Sequence, residues 1–593
     1  MSEPALLLSP PARVPAVIAQ PVAGLANRLT GLRRLDALYQ QARQPTEDGD
    51  FLDRALDTLG VQCALTGAGV DRIPASGPLL VVANHPFGGV EGMALAQALR
   101  RRRPDLRILA NYLLGRVAEL APLMIAVNPF SGAQAVRQNR RPLREALDWL
   151  RAGGTLLMFP AGAVSHLHLS RRAVTDPPWQ PAAAWLARRS EARVVPVFVD
   201  GRNSAAFQAA GLLAPQLRTA LLARELLRRR RCTVHARVGQ CIEPAALSEL
   251  ADDAERTAWL RLKVYGLRGA PAARRRPVSA VATPAGALDQ TLAQEVAGLA
   301  DSHCLLRHGE FGVYLTRAAD APRLLREIGR QRELAFRAVG EGTGRALDLD
   351  RYDRHYQHLW LWDHAQGRLA GAYRLARIDR VLASHGPGGL YLSSLFRFRR
   401  GALAALGPAL ELGRSFVALD YQRDFQPLLL LWQGIGRYLA TEPQYARLVG
   451  PVSIARSYSD ASRDLIAHYL SHYCADPALV GRVRGNYRPR RQPLQGFGPQ
   501  ALRRLVGDVE ALATCVAALE DDGKSLPVLL RHYLKLGGQV LAWNVDRDFG
   551  DVLDALLVVD LRRTDARLLR RYLGVEGAQR FAAWHAGAPR QAA

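Results

Sequence analysis

Lysine is almost absent from this 593-residue chain: Lys263, Lys524 and Lys535 are the only three, and arginine supplies the rest of the 79 basic residues. Acidic residues fall well short of that number, so the net charge is +25. A surplus of this sign favours acidic partners, such as nucleic acid, an anionic lipid surface or an acidic carrier protein. No zinc-finger spacing, RNP-like aromatic string or basic stripe interleaved with aromatics is present, which argues against nucleic acid. The six cysteines (Cys63, Cys232, Cys241, Cys304, Cys474, Cys515) lie far apart. With no C-x-x-C pair and no secretory signal read ahead of them, a disulfide framework and a zinc knuckle are excluded and a reducing cytosol is expected. No run reaches the roughly 18 to 20 apolar residues of a membrane span, so membrane contact is expected to be peripheral.

The length calls for at least two domains, because single cores stop growing near ~250 to 300 residues. Residues 268–286, rich in Pro, Ala, Gly and Arg, read as a linker. The expected organisation is an extension over 1–50, a first domain over 51–265, a linker over 266–290, a second domain over 291–575 and a tail over 576–593. In the first domain, apolar runs at 79–83, 155–159 and 194–199 alternate with helical patterns at 92–99 and 142–150. That alternation predicts an α/β fold with its chemistry where strands end in loops.

The run from Val81 to Glu91 takes an apolar strand into Asn84-His85-Pro86-Phe87-Gly88-Gly89 and then an acid. A histidine at a strand end, on a Gly-turned loop within reach of a carboxylate, can act as a general base; taken alone it equally suits a turn or a core hydrogen bond. Downstream stand Met158-Phe159-Pro160-Ala161-Gly162-Ala163-Val164-Ser165 and Val195-Pro196-Val197-Phe198. In order and spacing these three blocks resemble those of the glycerolipid acyltransferase superfamily, over roughly residues 60–245. Asp176-Pro-Pro-Trp179 and the stretch 217–222 resemble its aminolipid branch.

The resemblance implies that His85 deprotonates the hydroxyl of a lyso-lipid, that Glu91 orients the imidazole, and that Asn84, Gly88, Phe159, Pro160 and Gly162 contact substrate. Glu91 stands one position later than the superfamily's acid and is Glu instead of Asp, so its longer side chain has to compensate for the longer loop. Ala161 and Val164 replace the superfamily's Glu and Arg, leaving no guanidinium in that block to clamp a phosphate. An acceptor without glycerol phosphate is therefore expected. Residues 205–231 join Phe207 and many leucines to a dense basic end, a pattern that fits either an interfacial helix on anionic headgroups or a helix packed on its own domain.

After the linker, Arg332 and Phe336 precede the acidic run Asp348-Leu-Asp350-Arg-Tyr352-Asp353. Strand candidates follow at 359–362 and 371–377 across Gly367, then Glu411-Leu-Gly413-Arg414 on another strand, then a helix at 427–439. These motifs resemble the GNAT branch of ornithine N-acyltransferases, from about residue 300 to 562. In physical terms, Asp350 and Asp353 can bind cationic nitrogen, Arg414 a carboxylate, and Glu411 a proton directly or through water. A structural Glu411–Arg414 ion pair is the competing reading. The following segment Tyr421-Gln-Arg-Asp-Phe-Gln-Pro427 has no glycine to bring backbone amides to a coenzyme A pyrophosphate. Acyl carrier protein, whose acidic surface suits a basic chain, is the better donor.

Together the halves resemble the bifunctional ornithine-lipid synthases: α/β folds in two domains, an N-terminal glycerolipid-acyltransferase-like domain and a C-terminal GNAT-like domain. The resemblance implies N-acylation of ornithine from 3-hydroxyacyl-ACP by Glu411, with Arg332, Phe336, Asp350, Asp353 and Arg414 around the substrate, then O-acylation of the product from acyl-ACP by His85. No bound cofactor or metal and no nucleic acid are expected; the expected partners are acyl carrier protein, ornithine and the anionic inner face of the cytoplasmic membrane. Lysine, glutamine or glycine as acceptor, or a lipid-binding protein with one inactive half, are the alternatives.

Overall fold

The computed structural model describes residues 27–28, 30–44, 49–67, 69–111, 117–128, 133–169, 173–269, 290–489, 494, 497 and 499–587. Most of the expected linker (270–289), most of the N-terminal extension (1–26, 29 and 45–48) and the last residues of the tail (588–593) lie outside them. The chain divides into two compact units of mixed α/β structure.

The first unit is built on a seven-stranded sheet in the order Gln62–Thr66, Thr233–Val238, Arg193–Val199, Leu79–Ala83, Thr155–Met158, Leu106–Asn111, Met124–Val127. All neighbours run parallel except Arg193–Val199 with Thr233–Val238. The central strand Leu79–Ala83 is buried throughout, as its unbroken apolar run requires of a strand covered on both faces. Its carboxyl end leads into the His85 loop, flanked by the ends of Thr155–Met158 and Arg193–Val199.

This unit also takes in Leu494, Phe497 and residues 499–511 and 521–523, which the sequence placed within an unbroken second domain. Aromatic packing explains the excursion. Phe497 sits edge-on to Tyr265 at 6.3 Å, and the helix Pro499–Leu505 packs on the helix Asp253–Gly266.

The second unit carries an eight-stranded sheet in the order Cys304–His308, Phe311–Arg317, Gln357–Asp363, Arg368–Arg377, Ala409–Val417, Arg447–Ile454, Val552–Asp560, Gln539–Asp546. Every neighbouring pair is antiparallel except Ala409–Val417 with Arg447–Ile454. That parallel pair holds register only from Ala409–Arg447 to Glu411–Val449, so the strands part beyond Glu411 and open a crevice in the sheet. On its other edge Ala409–Val417 bulges against Arg368–Arg377, between Ala372 and Arg374. The bulge puts Arg414 in the left-handed region at φ 50°, a conformation that costs a non-glycine residue on the order of 1 kcal/mol.

Candidate active sites

In the first unit, Glu91 opens the helix Val90–Arg100 and its carboxylate reaches back over the loop. Oε1 accepts the Phe87 and Gly88 N–H groups at 2.8 and 2.9 Å and lies 3.0 Å from Nδ1 of His85. The longer side chain thus spans the extra loop residue. Burial by itself depresses the His85 pKa, but the Glu91 carboxylate, helped by Asp176, outweighs it and holds the imidazole above the ordinary histidine range. Glu91 is held below the usual carboxylate range, since His85 and the two backbone N–H groups overcome the burial that would raise it. Nε2 of His85 has no partner among the described residues, and the ring lies against Phe159 at 4.4 Å between centroids. This is a base held through one nitrogen and open at the other.

The loop is fixed from several sides. Asp176 accepts the His85 N–H at 3.1 Å, together with the Ser165 hydroxyl and the Trp179 indole N–H, while Ser165 N–H donates to the His85 carbonyl at 2.8 Å. Asp176 is in turn placed by its own N–H on the Tyr265 hydroxyl and by Arg261 on its carbonyl. The sequence noted Asp176-Pro-Pro-Trp179 without giving it this role, because the contact spans 91 residues.

Two residues expected to contact substrate have partners within the protein. Asn84 spends its amide on the Val199 backbone, donating to the carbonyl at 2.9 Å and accepting the N–H at 2.7 Å; it clamps the central strand to its neighbour. Gly88 is a turn residue at φ 109°, where a Cβ would lie 2.7 Å from Leu222, and its N–H is committed to Glu91. Phe159 packs on the histidine, Pro160 accepts Gln180 N–H at 2.9 Å through its carbonyl, and Gly162, at φ 64°, stands open at the loop. Asn84→Ala strands two buried backbone groups of Val199 and Asn84's own space, so it is expected to cost about 2–4 kcal/mol in urea denaturation.

The helix Pro215–Arg228, which packs on the helix Ala205–Leu213 before it, covers this loop, with Leu222 beside Gly88 and Leu226 beside Gly89. Where the two helices meet, Leu212, Leu213 and Leu217 are 50, 83 and 44 % exposed. One side of the segment is packed on its own domain, and the other ends in a bare leucine tip.

In the second unit, Glu411 is buried at the point where the strands part. Its Oε2 accepts the Tyr356 hydroxyl at 2.7 Å and Oε1 the Leu392 N–H at 2.9 Å. Burial pushes its pKa up to about 7, against the pull of these two donors and of Arg374. The competing Glu411–Arg414 ion pair is absent: Arg414 pairs with Asp348 at 3.2 Å and Asp350 at 3.6 Å, and lies over the Phe549 ring. A base of this kind is ionised only above about pH 7. If it takes the proton of the acceptor amine, the rate of N-acylation falls roughly tenfold per pH unit below that point, which a pH–rate profile measures.

The expected binding of cationic nitrogen by Asp350 and Asp353 is met by the protein's own arginines. Arg332 bridges Asp348 at 2.9 Å and Asp353 at 3.1 Å; Arg374 bridges Asp350 at 2.7 Å and Asp353 at 3.1 Å. Burial works to raise Asp353, yet Arg332 and Arg374 hold it far below the usual carboxylate range. Asp350 and Asp353 also cap the 3-10 turn Arg351–Arg354 reciprocally. Arg332 is thus a buried strut, and Phe336 packs edge-on to Phe549 at 6.1 Å. The sequence reading missed Arg374, Tyr356 and Tyr391. Arg374 had a signal, an arginine amid the apolar strand Arg368–Arg377; the tyrosines had none.

Residues 42–268 match the family described as Acyltransferase, and residues 331–433 the Acetyltransferase (GNAT) domain. Two curated proteins named glycine N(alpha)-acyltransferase are similar. That of Phocaeicola vulgatus is 35% identical over 28% of this chain and 54% of its own length. That of Bacteroides thetaiotaomicron is 31% identical over 43% of this chain and 80% of its own. A lyso-glycine lipid O-acyltransferase of Phocaeicola vulgatus is 30% identical over 26% of this chain and 53% of that protein. An L-ornithine N(alpha)-acyltransferase of Rhizobium meliloti is 26% identical over 40% of this chain and 75% of that protein. The chain thus spans about half the length of the first and third of these relatives.

Proposed function

Since the chain belongs, through its second half, to the GNAT-domain N-acyltransferase family that includes the glycine N(alpha)-acyltransferase of Bacteroides thetaiotaomicron, we propose that it makes a diacylated amino-acid lipid in two steps. In the first, the α-amine of an amino acid, ornithine in our reading, attacks the thioester carbonyl of a 3-hydroxyacyl donor. The N–C bond forms, the C–S bond breaks and the thiol leaves protonated. The amine proton passes to Glu411 through the Tyr356 hydroxyl or a water, because both carboxylate oxygens are enclosed. In the second, Nε2 of His85 takes the proton of the 3-hydroxyl as that oxygen attacks a second acyl thioester, and Glu91 stabilises the imidazolium.

The observation that carries the reading is the pairing in one chain of two separate proton acceptors, the open Nε2 of His85 and a buried Glu411 poised near neutrality. Acyl carrier protein as donor, with acyl-ACP as co-substrate, is supported by a cavity of about 570 Å³ beside Phe425, at the start of the helix Gln426–Thr441. Its lining is mostly apolar and includes Lys524, Arg531, Lys535 and Arg571. No described helix is long and apolar enough to cross a membrane. We place the first unit peripherally on an anionic leaflet through Leu212, Leu213, Leu217 and the arginines of Pro215–Arg228. The test is expression in a bacterium devoid of such lipids, with mass spectrometry of the extract; a diacylated amino-acid lipid is expected, and an unchanged lipid profile would favour a binding protein.

A further inference from the structure

One face of the second unit's sheet carries polar groups that neither step uses. Asp554 faces Ser453 on one neighbouring strand and Asn544 on the other, and Asp546 stands two residues beyond Asn544; the period of two puts all four on one face of the sheet. Ser453 donates to Glu341 at 2.8 Å, bringing a third carboxylate to that face. Glu341, Asp546 and Asp554 are 8, 8 and 4 % exposed, and none has an ion pair among the described residues. Their other hydrogen bonds are few: Asp548 N–H on Asp546 at 3.0 Å and a long 3.4 Å bond from Asn544 to Asp554. Arg414 acts on Asp546 and Asp554 from a distance, its own ion pairs going to Asp348 and Asp350.

Tyr391 is the independent pointer. It is 9 % exposed, its hydroxyl makes no hydrogen bond among the described residues, and that hydroxyl lies within electrostatic reach of Arg414, Asp546, Arg374 and Asp554. Its backbone N–H goes to the Tyr356 hydroxyl, the same hydroxyl that donates to Glu411, so Tyr391 ties the acidic face to the proposed base. A tyrosine nine-tenths buried, with no hydrogen bond to its hydroxyl among the described residues, beside three carboxylates without an ion pair is an arrangement that a donor-rich cation completes.

We propose that Glu341, Asp546, Asp554 and the Tyr391 hydroxyl form a subsite for a second, non-reacting ammonium on the acceptor, so that the N-acylating half selects diamino acids over amino acids with one amine. The inference rests on the N-acyltransferase reading above. No group of three or more His, Cys, Asp or Glu among the described residues is placed to hold a metal ion. Burial and mutual repulsion raise the carboxyl pKa values, that of Asp554 to about 8, and a bound ammonium would relieve the repulsion.

The test compares L-ornithine with L-norvaline, the same carbon chain without the distal amine, and with glycine, as acceptors for the full chain. Ornithine is expected to lead norvaline by roughly ten- to a hundredfold in kcat/KM, the range of a charge-assisted hydrogen-bonded contact. Asp554→Asn should bring that ratio toward one, through KM for ornithine more than through kcat. Should Asp554→Asn fail to fold, Asp546→Asn and Tyr391→Phe carry the same comparison. Equal use of norvaline and ornithine by the unmodified chain, or an unaltered ratio in every folded variant, overturns the subsite and leaves the N-acyltransferase reading standing. Acylation of no amino acid at all overturns that reading and the subsite with it.

Discussion

Glu411→Gln is expected to lower N-acylation by about 10²- to 10⁴-fold, the usual contribution of a positioned general base, and so to remove the monoacylated and the diacylated lipid together. Glutamine keeps the length of the side chain and a carbonyl oxygen for the Leu392 N–H or the Tyr356 hydroxyl. It cannot take a proton near pH 7. Because burial lifts the native carboxyl pKa to about 7, the neutral form is already well tolerated at this position, and the variant should fold. Loss of product with an unchanged thermal unfolding midpoint is the expected pair of results; a folded Glu411→Gln that keeps activity within roughly fivefold would assign the proton to another group.

His85→Ala is expected to stop only the second acylation, by a similar ~10²- to 10⁴-fold, so that monoacylated lipid accumulates in cells. The separation follows because His85 and its partners Glu91, Asp176 and Phe159 all belong to the first unit, whereas Glu411 and Tyr356 belong to the second. Alanine also leaves Glu91 buried with only the Phe87 and Gly88 N–H groups, so the unfolding midpoint has to be read beside the product. Glu91→Gln offers a second check: losing the carboxylate that holds the imidazole high should move the acid limb of O-acylation to lower pH while slowing the reaction. Full diacylated lipid from His85→Ala would remove His85 from the chemistry.

Much of the first site was legible because its parts are local. Asn84, His85, Gly88 and Glu91 share one loop between a buried strand and a helix, and period and glycine punctuation reveal such a junction. What each residue does there was less legible. Asn84 looked like a substrate contact, yet its partner is Val199, 115 residues away. In the second site the candidates Arg332, Asp350, Asp353 and Arg414 do come together, but as a cluster in which arginines and aspartates satisfy one another through Asp348 and Arg374. Motif spacing identifies charged residues that matter without saying whether they face substrate or each other.

By itself the sequence determined two α/β halves, the strand-to-helix loop of His85 and Glu91, the strand carrying Glu411 and Arg414, and the lack of any membrane-spanning run. All of these depend on neighbours within about a dozen residues, where periodicity, turn chemistry and side-chain reach act. Only the tertiary structure decided that the helix Pro499–Leu505 joins the first unit, that the sheet parts beyond Glu411, and that Ser453, with Glu341 on its hydroxyl, comes to one sheet face with Asp546 and Asp554. Those outcomes come from strand order and long-range packing, which bring together residues more than 200 positions apart, and no local pattern along the chain encodes such an encounter.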